Sequence, residues 1–254
     1  MQKSLTPFLS LLFLLIISGC NNTSPENPPP APVEKHEVIG VSVWDRISTR
    51  SEARRKSAST TLLSLGESFL YLDTFAIDSS YNNTKFLKAR LSDSSEVWVY
   101  GFASVLDAKP AVITTAVPLY LRPDLLTISD KRVGTMEIVA VTEEWDKWIK
   151  VVNEKKEKVG WIKEDFISYN TIDLAFALLA KRTLEKEDPE ERIKMLEELL
   201  ENNPYPGTVF ISELKDKLEQ EKQILRESRN DREWDNENRN NRSWEEENRR
   251  RRNN

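Results

Sequence analysis

The chain has 254 residues, 39% hydrophobic and 31% charged, against roughly 45–50% and about 25% in an ordinary globular domain. Some of it must therefore stand outside a packed core, and the length leaves room for about one or two domains. A formal net charge of −5 provides no general attraction for nucleic acid or anionic lipid, since both need a basic face. The first element is an apolar run from Phe8 to Ile17, "FLSLLFLLII", with Lys3 before it and "SGC" after it. A bilayer helix needs about 20 residues, so residues 1–19 read as an export signal, with an uncleaved membrane helix as the alternative. Cys20 is the only cysteine. It cannot form an internal disulfide, so its presence needs another reason.

Ile17, Ser18, Gly19 and Cys20 resemble the lipobox of bacterial lipoproteins. The resemblance implies cleavage before Cys20, lipidation of its sulfur, and a protein anchored to a membrane that faces the periplasm or the cell exterior. Acyl chains at about 0.8 kcal/mol per buried methylene would make that anchorage essentially permanent. Asn21 stands where enteric inner-membrane retention uses Asp, which implies no such retention. Residues 20–37 continue as "NNTSPENPPPAPVEK" and beyond. Proline at this density favours polyproline II at about 3.1 Å per residue, a spacer that would lift the first domain roughly 40–50 Å. A disordered tether, the alternative, has nearly the same effect.

Two similar blocks follow. The first runs from "VSVWDRISTR" through "LGESFLYLDTF" to "KFLKARLSDSSEVWVYGFAS". The second runs from "AVPLYLRPD" through "VGTMEIVAV" to "KWIKVVNEKKEKVGWIKEDFIS". In register, Ile47, Thr49 and Arg50 meet Leu119, Leu121 and Arg122; Gly66 meets Gly134; Phe86 meets Trp148, and, after a one-residue slip, Trp98 meets Trp161. "FLYLD", "VWVYG", "EIVAV" and "WIKVV" are rich in β-branched and aromatic residues, as half-buried strands require. "LSDSSE" and "NEKKEK" are polar enough to be hairpin loops. The second block in particular is similar to the bacterial SH3-like domain of cell-envelope proteins through "LYLRPD", "VGTMEIVAV", "WIKVV" and "VGWIKEDFI". The first departs from that pattern at Val97, which replaces the glycine of the Gly-Trp pair, in a longer loop after Arg50, and in the insertion "FAIDSSYNNT".

The expected fold is therefore mainly β plus α. Two consecutive SH3-like β-barrels occupy residues 38–108 and 109–169, a short antiparallel three-helix segment follows at 170–226, and the linker and the tail at 227–254 are disordered. A barrel of about 60 residues is marginal alone, and Trp98 and Trp161 are expected to fill the core on each closing strand. Gly160 would allow a bend or a close backbone approach. Trp145, among charged neighbours, is expected in a loop, where it either caps the barrel or faces a ligand. Tyr120, Trp148 and Tyr169 are further aromatic candidates. Arg50 and Arg122 either snorkel over the barrel edge or recognise a carboxylate. Aromatic surface with scattered charge suits peptides and sugar rings, and similar domains often contact peptidoglycan or a partner peptide.

Catalysis is not expected. The lone Cys is assigned to lipid and the lone His, His36, lies in the linker. No nucleophile elbow, phosphate-binding glycine loop or metal-spaced cluster occurs, so no cofactor or metal is expected.

After Tyr169 the period becomes helical. Ile172, Phe176 and Leu179 share one face, with Leu174, Ala177 and Leu178 beside it. Asp188, Pro189 and Glu191 form a helix-start signature ahead of Ile193, Leu196, Leu199 and Leu200. Ile211, Leu214, Leu218 and Leu225 repeat the stripe. The helices either cap the second barrel or hold a protein partner. "REWDNENR" and "RSWEEENR" form an imperfect repeat before the final arginines, too polar to order itself by burial. The functional expectation is a lipid-anchored, non-catalytic binding protein of the envelope. Its barrels would recognise peptidoglycan or an envelope protein; the alternative is an adaptor that binds through its helices.

Overall fold

The computed structural model describes residues 37–252, so the export signal, Cys20 and the spacer through His36 lie outside the described residues. Alternating strand residues dictate the first layer. In β1 (Ile39–Ser42), β2 (Ile47–Arg50), β3 (Ser59–Leu63), β4 (Ser68–Asp78), β5 (Thr84–Arg90), β6 (Glu96–Tyr100) and β7 (Ser104–Leu106), short runs pair antiparallel in the order β3-β2-β6-β5-β4-β1-β7. The second set is β8 (Lys109–Ile113), β9 (Val117–Tyr120), β10 (Ile128–Val133), β11 (Ile138–Trp145), β12 (Trp148–Val152), β13 (Val159–Lys163) and β14 (Ile167–Ser168). Its order is β10-β9-β13-β12-β11-β8-β14, the same order in the second copy.

Each sheet curls around its own apolar side. Ala111, Leu119, Val133, Val139, Ile149 and Ile162, each from a different strand, share one cluster in the second sheet. Leu63, Phe69, Leu87 and Val99 do the same in the first. No closed barrel is found among the described residues, where no pairing joins β3 to β7 or β10 to β14. The terminal strands β7 and β14 have three and two residues, too few for a closing ladder. Both expected hairpins form, with Arg90 opposite Glu96 and Val152 opposite Val159.

Strand register corrects the expected correspondence between the two copies. Arg50 lies opposite Trp98, and Tyr120 lies opposite Trp161. Arg50 therefore corresponds to Tyr120 rather than to Arg122, and Thr49 to Leu119. Phe86 and Trp148 do correspond, opposite Tyr100 and Lys163. The left-handed turn residue Gly66 (φ 79°) matches Met136 (φ 65°), not Gly134. Gly66 donates its N–H to the Ser42 carbonyl at 2.8 Å, and Met136 donates to Ile113 at 2.8 Å. The glycine pattern points to Gly134, but the second copy fills this turn with Met136, a residue that rarely adopts it.

Three helices follow: α1 (Thr171–Leu184), α2 (Pro189–Glu201) and α3 (Ile211–Arg252). The Asp188 side chain caps α2 by accepting from the Glu190 and Glu191 amides, with Pro189 at the first position. α1 buries Phe176, Ala177 and Ala180, whereas Ile172 faces outward, so its buried face is rotated from the one expected. The helices cover both sheets rather than the second alone. Leu65 from the first sheet and Val112, Met136 and Ile138 from the second share a cluster with Phe176, Leu196 and Leu214. A fully buried Phe contributes about 1.5–3 kcal/mol by transfer, so this common lid adds to two sheets that are each small.

Two further contacts fix the assembly. Arg182 in α1 forms a fork with Asp45 of the β1–β2 turn, Nε to Oδ2 at 3.0 Å and Nη2 to Oδ1 at 2.7 Å. The buried Asp173 accepts from Ser168, Thr208 and the Val209 amide, tying the start of α1 to the start of α3.

The expectation of a disordered tail is also corrected: α3 runs on through Arg252. It contains neither Gly nor Pro over its 42 residues. Pairs such as Glu213 with Lys217 support it, and four arginines close its last turn, where the helix dipole favours cations. At 1.5 Å per residue it is about 63 Å long. Among the described residues no helix is long and apolar enough to cross a membrane.

Candidate functional site

Alternation decides which aromatic residues can meet a ligand. In β12, Ile149 and Val151 enter the core, so Trp148 and Lys150 point to the opposite face; in β13, Ile162 enters it, so Trp161 and Lys163 point away. Trp161 is thus partly exposed on the outer face, and Trp98 has the same placement between core residues Val97 and Val99. This corrects the expectation that Trp161 fills a core, whereas Trp98, outside the main cluster of its sheet, packs against buried Phe86, Tyr100 and Ala103.

Register brings the outer side chains into two rows. Ile128, Tyr120, Trp161, Lys150 and Glu143 lie opposite one another in turn across the second sheet. Trp145, Trp148 and Lys163 form the row beside it. The Tyr120 and Trp148 rings meet edge to face with centroids 5.0 Å apart. The Lys163 ammonium lies 4.0 Å from the Trp148 centroid, and that of Lys150 lies 5.9 Å from the Trp161 centroid. Such contacts hold flexible lysines over rigid rings and order the face before any ligand arrives. Lys150 also bonds Glu143 at 2.7 Å.

Gly160 explains the Gly-Trp pair. A Cβ there would lie 2.9 Å from Leu119 Cβ and 3.0 Å from the Tyr120 carbonyl oxygen. Only glycine lets β9 come close enough to set Tyr120 against the Trp161 strand. The first sheet solves the same crossing with different volumes, placing Val97 where Gly160 stands and the smaller Thr49 where Leu119 stands.

The remaining candidates divide. Trp145 ends β11 rather than lying in a loop; a two-residue turn through Asp146 (φ 51°) follows it, and it is 68% exposed. Trp148 is buried beneath the face, a platform more than a contact. Arg122 is exposed in the β9–β10 loop, its amide donating to the Thr127 hydroxyl at 3.1 Å. Tyr169 follows β14 on the other edge; burial pushes its hydroxyl pKa up and Glu144 adds to the rise. Lys109 bonds Glu144 at 2.9 Å nearby. Arg50 is committed to its own sheet, with Nε donating to the Tyr100 hydroxyl at 3.0 Å and Nη1 to the Ser57 carbonyl at 3.1 Å. Trp161 is expected in the core and Lys150 and Lys163 carry no expectation from sequence, although the alternation in "WIKVV" and "VGWIK" points all three outward.

No family model and no curated protein matches the chain. Among solved structures it is similar to NlpC2 from Trichomonas vaginalis at 15% identity and a TM-score of 0.23, covering 64% of this chain and 56% of that one. It is also similar to NlpC1 from Trichomonas vaginalis at 14% identity and a TM-score of 0.24, covering 55% and 48%. The chain spans about half the length of these solved structures.

Proposed function

We propose that this is a lipid-anchored protein of the bacterial cell envelope that binds without catalysis. Its two sheets are divergent SH3-like repeats, and the outer face of the second recognises peptidoglycan or a peptide of an envelope protein. The observation that carries the reading is the double row of Tyr120, Trp161 and Trp145 interleaved with Lys150 and Lys163. Flat apolar faces flanked by cations suit sugar rings and peptide segments bearing carboxylates. Cys20 in its lipobox supplies the anchor, and the prolines supply the reach. Residues 37–252 contain neither Cys nor His, so they supply no cysteine nucleophile with a histidine base. An adaptor acting through its helices is less well supported, because the apolar stripes of α1 and α2 are spent under the sheets.

The test is sedimentation of the full chain with purified cell-wall sacculi. Trp161→Ala and Trp145→Ala should each weaken retention about tenfold while leaving the melting temperature within a few degrees. Retention unchanged in both variants would refute the face as the binding surface. Cys20→Ser should move the protein from the membrane fraction to the soluble one; continued retention would refute the anchor.

A further inference from the structure

The two segments by which the first repeat departs from the second meet each other. One is the loop between β2 and β3, which carries Arg54, Arg55 and Lys56; the other is the turn after β4, with Ser80 and Tyr81. Asp78 joins them: its carboxylate accepts from the Arg55 amide at 2.9 Å, the Ser80 amide at 3.1 Å and the Ser80 hydroxyl at 2.5 Å. These bonds, that of the Ser80 hydroxyl first, hold the Asp78 carboxyl below the ordinary carboxylate range. The Arg55 guanidinium then stacks 3.7 Å from the Tyr81 ring centroid.

Between the insertions lies a hollow of about 290 Å³ bounded by Arg50, Arg55, Lys56, Asp78, Ser80 and Tyr81. Three cationic side chains face one carboxylate there, in a chain whose net charge is −5. Among the described residues Arg50, Arg54, Arg55 and Lys56 form no ion pair; the one other acid of the loop, Glu52, is exposed. Arg50 is held by Tyr100 and Ser57 through two of its five donors, which fixes the guanidinium and leaves the others for a ligand. A second hollow of about 500 Å³ shares Lys56, Asp78 and Ser80 and adds Ile77, a residue 56% exposed.

We propose that these two insertions form a binding site for the carboxylate of a small ligand, of the class of a peptide with a free α-carboxyl end. Arg50, Arg55 and Lys56 receive the carboxylate, while the Tyr81 ring and Ile77 receive the adjoining apolar side chain. Inorganic phosphate has no side chain for the Tyr81 ring and Ile77 to receive, which is what separates it from the peptide acid. This site is separate from the outer face of the second sheet and does not depend on its role.

The experiment is calorimetric titration of the full chain at low ionic strength with N-acetyl-alanyl-alanine, its C-terminal amide, and inorganic phosphate. The acid should bind, the amide at least tenfold more weakly, and phosphate more weakly than the acid. Arg55→Gln and Lys56→Gln should each reduce acid binding about tenfold. If Arg55→Gln lowers the melting temperature, Lys56→Gln carries the comparison, since among the described residues no structural bond is assigned to its side chain. Absence of acid binding, equal binding of acid and amide, tighter binding of phosphate, or acid binding unchanged in Lys56→Gln would each overturn the proposal.

Discussion

The fork between Arg182 and Asp45 makes the most direct stability prediction. The Asp45 side chain is 9% exposed and that of Arg182 is 27% exposed. Asp45 also accepts from the Leu65 amide at 3.1 Å, and Arg182 donates to the Ser64 hydroxyl at 3.1 Å. Asp45→Ala therefore strands a guanidinium and a backbone amide together. Hydrogen bonds to charged groups contribute about 1.5–3 kcal/mol, and partial exposure of Arg182 lowers the lone-charge penalty. We expect a loss of about 2–3 kcal/mol for Asp45→Ala, and a coupling of about 1–2 kcal/mol with Arg182→Ala in a double-mutant cycle. For a body of this size that corresponds to about 4–12 °C in melting temperature. The pH dependence has a definite sign. Burial pushes the Asp45 carboxyl up, but the Arg182 guanidinium, the Leu65 amide and Lys181 together hold it below its ordinary value. A depressed folded pKa gives stability that is complete above the unfolded value near 4 and lost as pH falls through the folded one. Urea unfolding at pH 7 and again near pH 3 measures both effects. A coupling below about 0.3 kcal/mol, or a gap between wild type and Asp45→Ala that widens in acid, would refute the reasoning.

Other substitutions test the packing. Asp173→Ala leaves the Thr208 hydroxyl and the Val209 amide without their acceptor and should cost about 2–4 kcal/mol in denaturant unfolding. Phe176→Ala opens the cluster shared by both sheets and the helices, so it should cost about 3–5 kcal/mol; scanning calorimetry should still show one transition. Gly160→Ala should cost about 1–3 kcal/mol through the contact with Leu119. Adding Leu119→Thr should recover none of that loss, because threonine keeps the Cβ that makes the 2.9 Å contact; thermal melts of the single and double variants decide it.

Much of this architecture is written locally. Strand alternation, polar hairpin tips and the Asp188-Pro189 cap each depend on a few neighbouring residues, and each was readable. Four features were not. The true offset between the copies is hidden because Met136 adopts a left-handed turn that a glycine search assigns to Gly134. The outward placement of Trp161 was misread by giving weight to residue size over period: Ile162 already claims the inner position. The helical tail was misread from its polarity, although a run without Gly or Pro, seeded by the packed half of α3, needs no core of its own to continue as helix. The first repeat's cationic hollow depends on two insertions meeting in space, and no spacing rule anticipates that.

The common helical lid has a further consequence. Because Leu65 and Ile138 sit under the same helices, the two sheets cannot swing relative to each other as beads on a string would. A polymer that touches both surfaces meets them at an unvarying separation, so its second contact forms at a high local concentration and without a fresh loss of rotational freedom.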